Sequence, residues 1–376
     1  MKHGKEPGKQ RLAKTATAFA LSLAAALAIP LPASAADDEV GCGAVLTSNV
    51  TLTQDLSCAG DGLTIGADNV TVDLAGHTVS GDGTGRGVAV GDRKGVAVRD
   101  GVISGFGLGA ETVGGGVTFS RVRFAGNALS ADHAASLTLV GPRSACLAEG
   151  IDVTGSSVLT IDRCTVHGRL YGSDGHGWTV RGSVLSNGHL ELAESGSNVF
   201  GGNLFDGFPV NLTEGSNDNL YTDNVFTNAQ VGFRAEHSTG APNRVEGNVF
   251  KDNRYGMTFW VSFSNVSVKG NRFEGNRIAG ILIDPIRFTG VTPYPVSGNT
   301  FVHNGLAAGG AVDRDGDLIR DGVHVSGTGR APVELARNGG TGNGGFVIWG
   351  PAGQVIDGGG NHGPCGPVAN PGLNCS

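Results

Sequence analysis

Gly202-Asn203-Leu204-Phe205, Asp223-Asn224-Val225-Phe226, Gly247-Asn248-Val249-Phe250, Gly270-Asn271-Arg272-Phe273 and Gly298-Asn299-Thr300-Phe301 are five versions of one phrase. Their phenylalanines are spaced by 21, 24, 23 and 28 residues, within the range of a stacked repeat. A second turn signal follows each one: Asp206-Gly207, Asn228, Asn253, Asn276 and Asn304-Gly305. The runs between them, such as Val231-Gly232-Phe233 and Ile281-Leu282-Ile283, are short and apolar and show no helical period. A leucine-rich repeat would need a fixed leucine consensus. The corner residues here are Gly, Asn, Ser and Asp, which favour tight turns.

The pattern predicts an all-β fold: a single-stranded right-handed parallel β-helix, or solenoid, of about twelve coils. At ~4.8 Å per coil the rod would be about 60 Å long. Phe205, Phe226, Phe250, Phe273 and Phe301 are expected to stack inside it. Asn203, Asn224, Asn248, Asn271 and Asn299 are expected to bond from coil to coil beside a turn, as structural groups.

Outward from this core the repeat loosens but persists. Leu63-Thr64-Ile65, Val70 to Leu74 and His77 to Gly81 read as three faces of an early coil, and Gly322-Val323-His324-Val325 resumes the period after it falters from Leu306 to Asp321. The expected organisation is a signal peptide over 1–35, an N-terminal cap and linker over 36–61, the β-helix over 62–356 and a disulfide-pinned tail over 357–376. The signal peptide rests on a basic opening (Lys2, Lys5, Lys9, Arg11, Lys14), an Ala/Leu-rich segment and Ala33-Ser34-Ala35, which has the small-x-small form of a cleavage site. Pro30 and Pro32 break the apolar run, which argues against a membrane anchor. The expected product is secreted, monomeric and without a membrane span.

Glycine makes up 65 of 376 residues without the period of collagen. The net charge of −7 includes the basic leader, and no basic patch interleaves with aromatics, so nucleic acid is excluded as a partner. Six cysteines in an oxidising compartment allow fifteen pairings. The spacings favour Cys42 with Cys58, Cys146 with Cys164 and Cys365 with Cys375. No Cys-x-x-Cys pair supports zinc.

Chemistry is expected where polar residues recur at the coil spacing. Asp132, Asp152, Asp174, Glu194, Glu214, Glu236, Trp260 and Asp284 follow one another at 20 to 24 residues. They would form an acidic stripe with His133, His176 and His237 beside it. Such a stripe solvates a rod, holds cations, or supplies acids and bases for a sugar substrate. Asp174, His176, Glu194, Glu214, Glu236 and His237 are the candidate catalytic residues, and Tyr171, Trp178, Trp260 and Asp284 the candidate substrate contacts. Asp313, Asp315, Asp317 and Asp321 have the 1, 3, 5, 9 spacing of a calcium loop, without the EF-type Gly and Glu at places six and twelve. Ca²⁺ is the one candidate cofactor.

Gly175-His176-Gly177 resembles the triplet of the polygalacturonase-type pectinases, although the aspartate contexts and Arg-x-Lys of that family are absent. Residues 41–376 resemble the secreted bacterial right-handed parallel β-helix repeat proteins of the pectin lyase-like fold family. That resemblance is carried by Cys42-Gly43, Asp55-Leu56, Cys58, Gly62-Leu63-Thr64-Ile65 and Asp73-Leu74-Ala75-Gly76-His77-Thr78-Val79. It implies a protein that acts on or binds an acidic polysaccharide, as a hydrolase or lyase. The alternative is a non-catalytic extracellular scaffold, and the sequence leaves open whether the protein is an enzyme.

Overall fold

The computed structural model describes residues 40–376 except 156, 214, 237–239, 261–265, 285–294, 328–331, 369 and 371. The expected signal peptide lies outside the described residues. Val40–Ser376 forms one compact unit, a right-handed parallel β-solenoid of about 13 turns.

Each turn is a coil of short strands whose partners lie one coil before and one after. On one face the ladder starts at Ala44–Leu46 and continues through Leu63–Ile65, Arg86–Val90, Leu108–Val113, Leu129–Asp132 and Ile151–Thr154. It then passes through the long strands Thr165–Ser173 and Val184–Ala193 and on to Val210–Leu212, Val231–Ala235, Tyr255–Trp260 and Ala279–Asp284. Val323–Val325, Ile348–Trp349 and Cys365–Gly366 complete it. The stretch read as an N-terminal cap is itself a coil, because Val50–Thr51 and Leu56–Ser57 also pair with the coil above.

The five phenylalanines stack in the lumen. Ring centroids from Phe205 to Phe226, Phe250, Phe273 and Phe301 are 4.6, 4.6, 4.8 and 5.0 Å apart and nearly parallel, and every ring is fully buried. Each offset pair adds about 0.5–1.5 kcal/mol to the area that it buries.

The asparagines form a continuous amide ladder. Asn224 Oδ1 accepts from the backbone N–H and the side chain of Asn203, and Asn248 does the same for Asn224. The ladder passes through Asn271 and Asn299 and reaches Asn338 and Asn361 beyond the repeats that announced it. A parallel ladder joins Asn253, Asn276, Asn304 and Asn343. These buried amides satisfy corner backbone groups that no strand pairing reaches.

The three local disulfides are formed, Cys42–Cys58, Cys146–Cys164 and Cys365–Cys375. The segment where the period falters folds outside the lumen as a small hairpin, with Val312 bridged antiparallel to Leu318. Its Ile319, Ala308 and Ala311 cover Ile278, Ala279 and Leu282 on the outer face of a coil, a second apolar cluster apart from the main core. No helix among the described residues is long and apolar enough to cross a membrane.

Candidate functional site

In a strand the side chains alternate, so a buried Leu170 turns Arg169 and Tyr171 outward, and a buried Leu190 does the same for His189 and Glu191. Coil-to-coil register sets one such position over the next. Ser130, Asp152, Tyr171, Glu191, Asn211, Arg234 and Thr258 form one outward line. Leu282, His324 and Trp349 continue it.

At the centre of this line the guanidinium of Arg169 lies 3.8 Å from the Tyr171 ring centroid. Its Nε is 3.8 Å from Asp152 Oδ1. His189 Nε2 is 3.6 Å from Glu191 Oε2, and Arg234 Nε is 3.7 Å from Glu236 Oε1. The face therefore alternates acids with cations. All six groups are partly exposed, so a ligand reaches them without unfolding anything.

A second row flanks it at the end of the strand. Thr154, Ser173 and Ala193 each accept from the next residue's counterpart one coil earlier, which places His133, Gly155, Asp174 and Glu194 at one corner. All four have positive φ, a left-handed turn that ends the strand and swings the side chain off the sheet. Gly155 leaves room there for the His133 ring, which a Cβ would meet at 2.5 Å. His176 follows, with Nδ1 3.1 Å from the Asp174 carbonyl oxygen and 3.7 Å from its Oδ1. Asp132 accepts from the Thr154 hydroxyl at 2.8 Å and lies 2.8 Å from His133 Nδ1. The Thr154 bond, followed by that of His133, holds the Asp132 carboxyl below the ordinary carboxylate range.

The predicted single stripe thus divides into three. Asp152 stands in the Tyr171 line. Asp132, Glu236, Trp260 and Asp284 share the position two residues on, with Trp260 paired to Asp284 as the spacing implied. Asp174 and Glu194 occupy the corner. The cause is unequal coil length, since Ser130 to Asp152 is 22 residues and Asp152 to Tyr171 only 19. Glu214 and His237 lie outside the described residues.

Two expected sugar contacts are corrected. Trp178 is fully buried and faces the lumen, where its Nε1 donates to the Ser157 carbonyl at 2.9 Å. A Cβ at Gly172 or Gly175 would come within 2.5 or 2.7 Å of the indole, so the first glycine of Gly175-His176-Gly177 makes room for a core ring. Asp284 is taken up as a clamp. Its Oδ1 accepts from Arg314 Nε at 2.6 Å and from the Ser326 hydroxyl at 2.6 Å, and its carbonyl accepts from Arg314 at 3.0 Å.

Two aspartates of the expected calcium loop, Asp313 and Asp321, are likewise engaged internally. Asp313 Oδ1 accepts the N–H groups of Asp315 and Asp317, each at 2.9 Å. Buried His324 lies between carboxylates, with Nε2 3.1 Å from Asp313 Oδ2 and Nδ1 2.8 Å from Asp321 Oδ2. Asp321 Oδ1 accepts from the Phe346 N–H at 2.6 Å. Burial pushes the His324 pKa down, but the bonds to Asp321 and Asp313 outweigh it and raise the pKa above the ordinary histidine value. Among the described residues no group of three or more His, Cys, Asp or Glu side chains is gathered as a metal site.

Sequence reasoning missed Arg169, His189, Glu191, Asn211 and Arg234. The signal was present in the alternation of Arg169-Leu170-Tyr171 and His189-Leu190-Glu191, where the leucine must face the lumen.

Residues 114–301 match the family described as right handed beta helix region, and the chain belongs to that family. No curated protein matches it in sequence. Among solved structures it is similar to the A-module of the mannuronan C-5 epimerase AlgE6 from Azotobacter vinelandii. The TM-score is 0.52 at 14% identity, covering 85% of this chain and 88% of that one. The AlgE4 A-module of the same organism gives a TM-score of 0.45 at 12% identity, covering 88% and 91%. The catalytic unit of a GH87 α-1,3-glucanase from Streptomyces thermodiastaticus gives 0.30 at 13% identity, covering 82% and 65%. At such identities the likeness is one of fold.

Proposed function

We propose that this chain is a secreted carbohydrate-active β-solenoid that binds an acidic polysaccharide along the line from Asp152 to Arg234. The observation that carries the reading is the meeting of Tyr171, Arg169, Glu191 and His189 on one rigid sheet face, with Asp174, His176 and Glu194 at its edge. Parallel strands hold these groups at the coil repeat of ~4.8 Å, close to the length of one sugar unit. Arg169 and Arg234 are placed to pair with substrate carboxylates. The tyrosine, histidines and carboxylates are the proton donors and acceptors that cleavage or proton abstraction at a uronate requires. The fold neighbour AlgE6 is by name a mannuronan C-5 epimerase, which supports an acidic polysaccharide as the substrate class. Three disulfides support an oxidising, extracytoplasmic location.

The test is incubation of the protein with mannuronan, guluronan and polygalacturonan, with and without Ca²⁺. The readouts are ultraviolet absorbance of unsaturated products, new reducing ends and the proton spectrum of the recovered polymer. A product that disappears in Tyr171→Phe and His176→Gln supports catalysis at this face. Retention of glycan without any product supports binding alone. No product and no retention would refute the reading.

A further inference from the structure

We propose that the cleft between the inserted hairpin and the strand Ile348–Trp349 is a second saccharide site, which takes one pyranose ring of a glycan and is separate from the Tyr171 face. The cleft measures about 320 Å³ and is lined by Asp317, Leu318 and Arg320 of the hairpin and by Phe346 and Trp349 of the solenoid. That volume lies at the small end of the roughly 300–1,000 Å³ of ligand pockets.

The lining has the chemistry of a sugar ring. Phe346 and Trp349, with centroids 5.6 Å apart and planes inclined at 37°, form an angled aromatic wall, and Leu318, half exposed, extends its apolar surface at the rim. The C–H face of a pyranose lies against such a wall while its hydroxyls point to the edges. At the edges stand a guanidinium donor, Arg320, and a carboxylate acceptor, Asp317, neither of which has an ion-pair partner among the described residues. Among the described residues the indole Nε1 of Trp349 has no hydrogen-bond partner and is sealed from the cleft, so what Trp349 offers a sugar is its ring and not its N–H.

The hairpin wall is held in place by the Arg314 to Asp284 contact and by His324 between Asp313 and Asp321. Trp349 stands in the same outward line as Tyr171, but seven coils along it, or about 34 Å. The intervening Leu282 and His324 are buried beneath the hairpin, so the two surfaces are not one continuous groove.

Isothermal titration calorimetry of the full protein tests the site. Tyr171→Ala serves as the background to blank the other face, and the probes are the tetrasaccharides of mannuronate, galacturonate, β-1,4-glucose and α-1,3-glucose. At least one is expected to bind one to one. Trp349→Ala, which removes the larger ring of the wall, Arg320→Ala and Asp317→Asn are each expected to weaken that binding by about tenfold or more, with unchanged thermal midpoints for the Arg320 and Asp317 variants, whose side chains are exposed and half-buried. No heat with any of the four probes overturns the site. Binding that survives both Trp349→Ala and Arg320→Ala undiminished overturns it equally.

Discussion

Asn248→Ala should cost far more stability than the loss of one polar side chain suggests, because the amide serves the coils on both sides. Its Oδ1 accepts from the Asn224 backbone N–H at 2.9 Å and from Asn224 Nδ2 at 3.0 Å. Its Nδ2 donates to the Tyr221 carbonyl at 2.9 Å and to Asn271 Oδ1 at 3.0 Å. Asn224 and Asn248 are each about 1% exposed, so water cannot replace what is removed. Alanine deprives the buried backbone N–H of Asn224 of its acceptor and removes one from its side-chain amide. At about 1–3 kcal/mol for each buried group left unsatisfied, the loss is about 2–6 kcal/mol. Asn228→Gly is the control, since Asn228 is exposed, its left-handed backbone (φ 60°) suits glycine where alanine would be strained, and its amide donates to the half-buried Asp206 carboxylate at 2.7 Å. That loss should stay within about 0.5 kcal/mol. Urea unfolding followed by circular dichroism measures both, and the midpoints are comparable if the slopes agree. Equal midpoints for the two variants would refute the claim that the ladder stabilises the stack.

Phe250→Ala opens the ring column between Phe226 and Phe273 and should cost about 3–5 kcal/mol; calorimetric melting compares it with Phe250→Leu, which keeps most of the volume. Arg314→Ala removes the clamp on Asp284, so amide exchange over 306–321 should accelerate while exchange in the Phe250 coil stays unchanged. His324 has a raised pKa in the folded chain, so its stabilising contribution is complete below the unfolded histidine value and is lost as pH rises through the folded one. Protection of the hairpin should therefore fall as pH rises above the ordinary histidine range, and His324→Gln should flatten that dependence. Tyr171→Phe should abolish any glycan turnover without shifting the melting temperature, because the hydroxyl points from a half-exposed face.

The amino-acid order by itself determined what each coil contains: inward Val, Leu and Phe in alternation, a turn at each Asn, cysteines close enough to pair locally, and a break from Leu306 to Asp321. These are local properties, since the physics of a tight turn or an apolar strand is complete within a few residues. Which outward groups meet was decided only by the tertiary structure. A coil of 19 residues and a coil of 22 end at different points around the rod, so equal spacing in the chain put Asp152 beside Tyr171 and Asp174 at the corner. Trp178 showed the same limit from the opposite side, because two glycines opened a lumen wide enough for an indole that composition alone placed outside. The hairpin was visible in the chain only as an interruption. Its docking by Arg314, Asp313 and Ile319 onto distant coils created both the buried His324 and the cleft at Trp349, because contacts between surfaces far apart in sequence exist only once the coils are stacked.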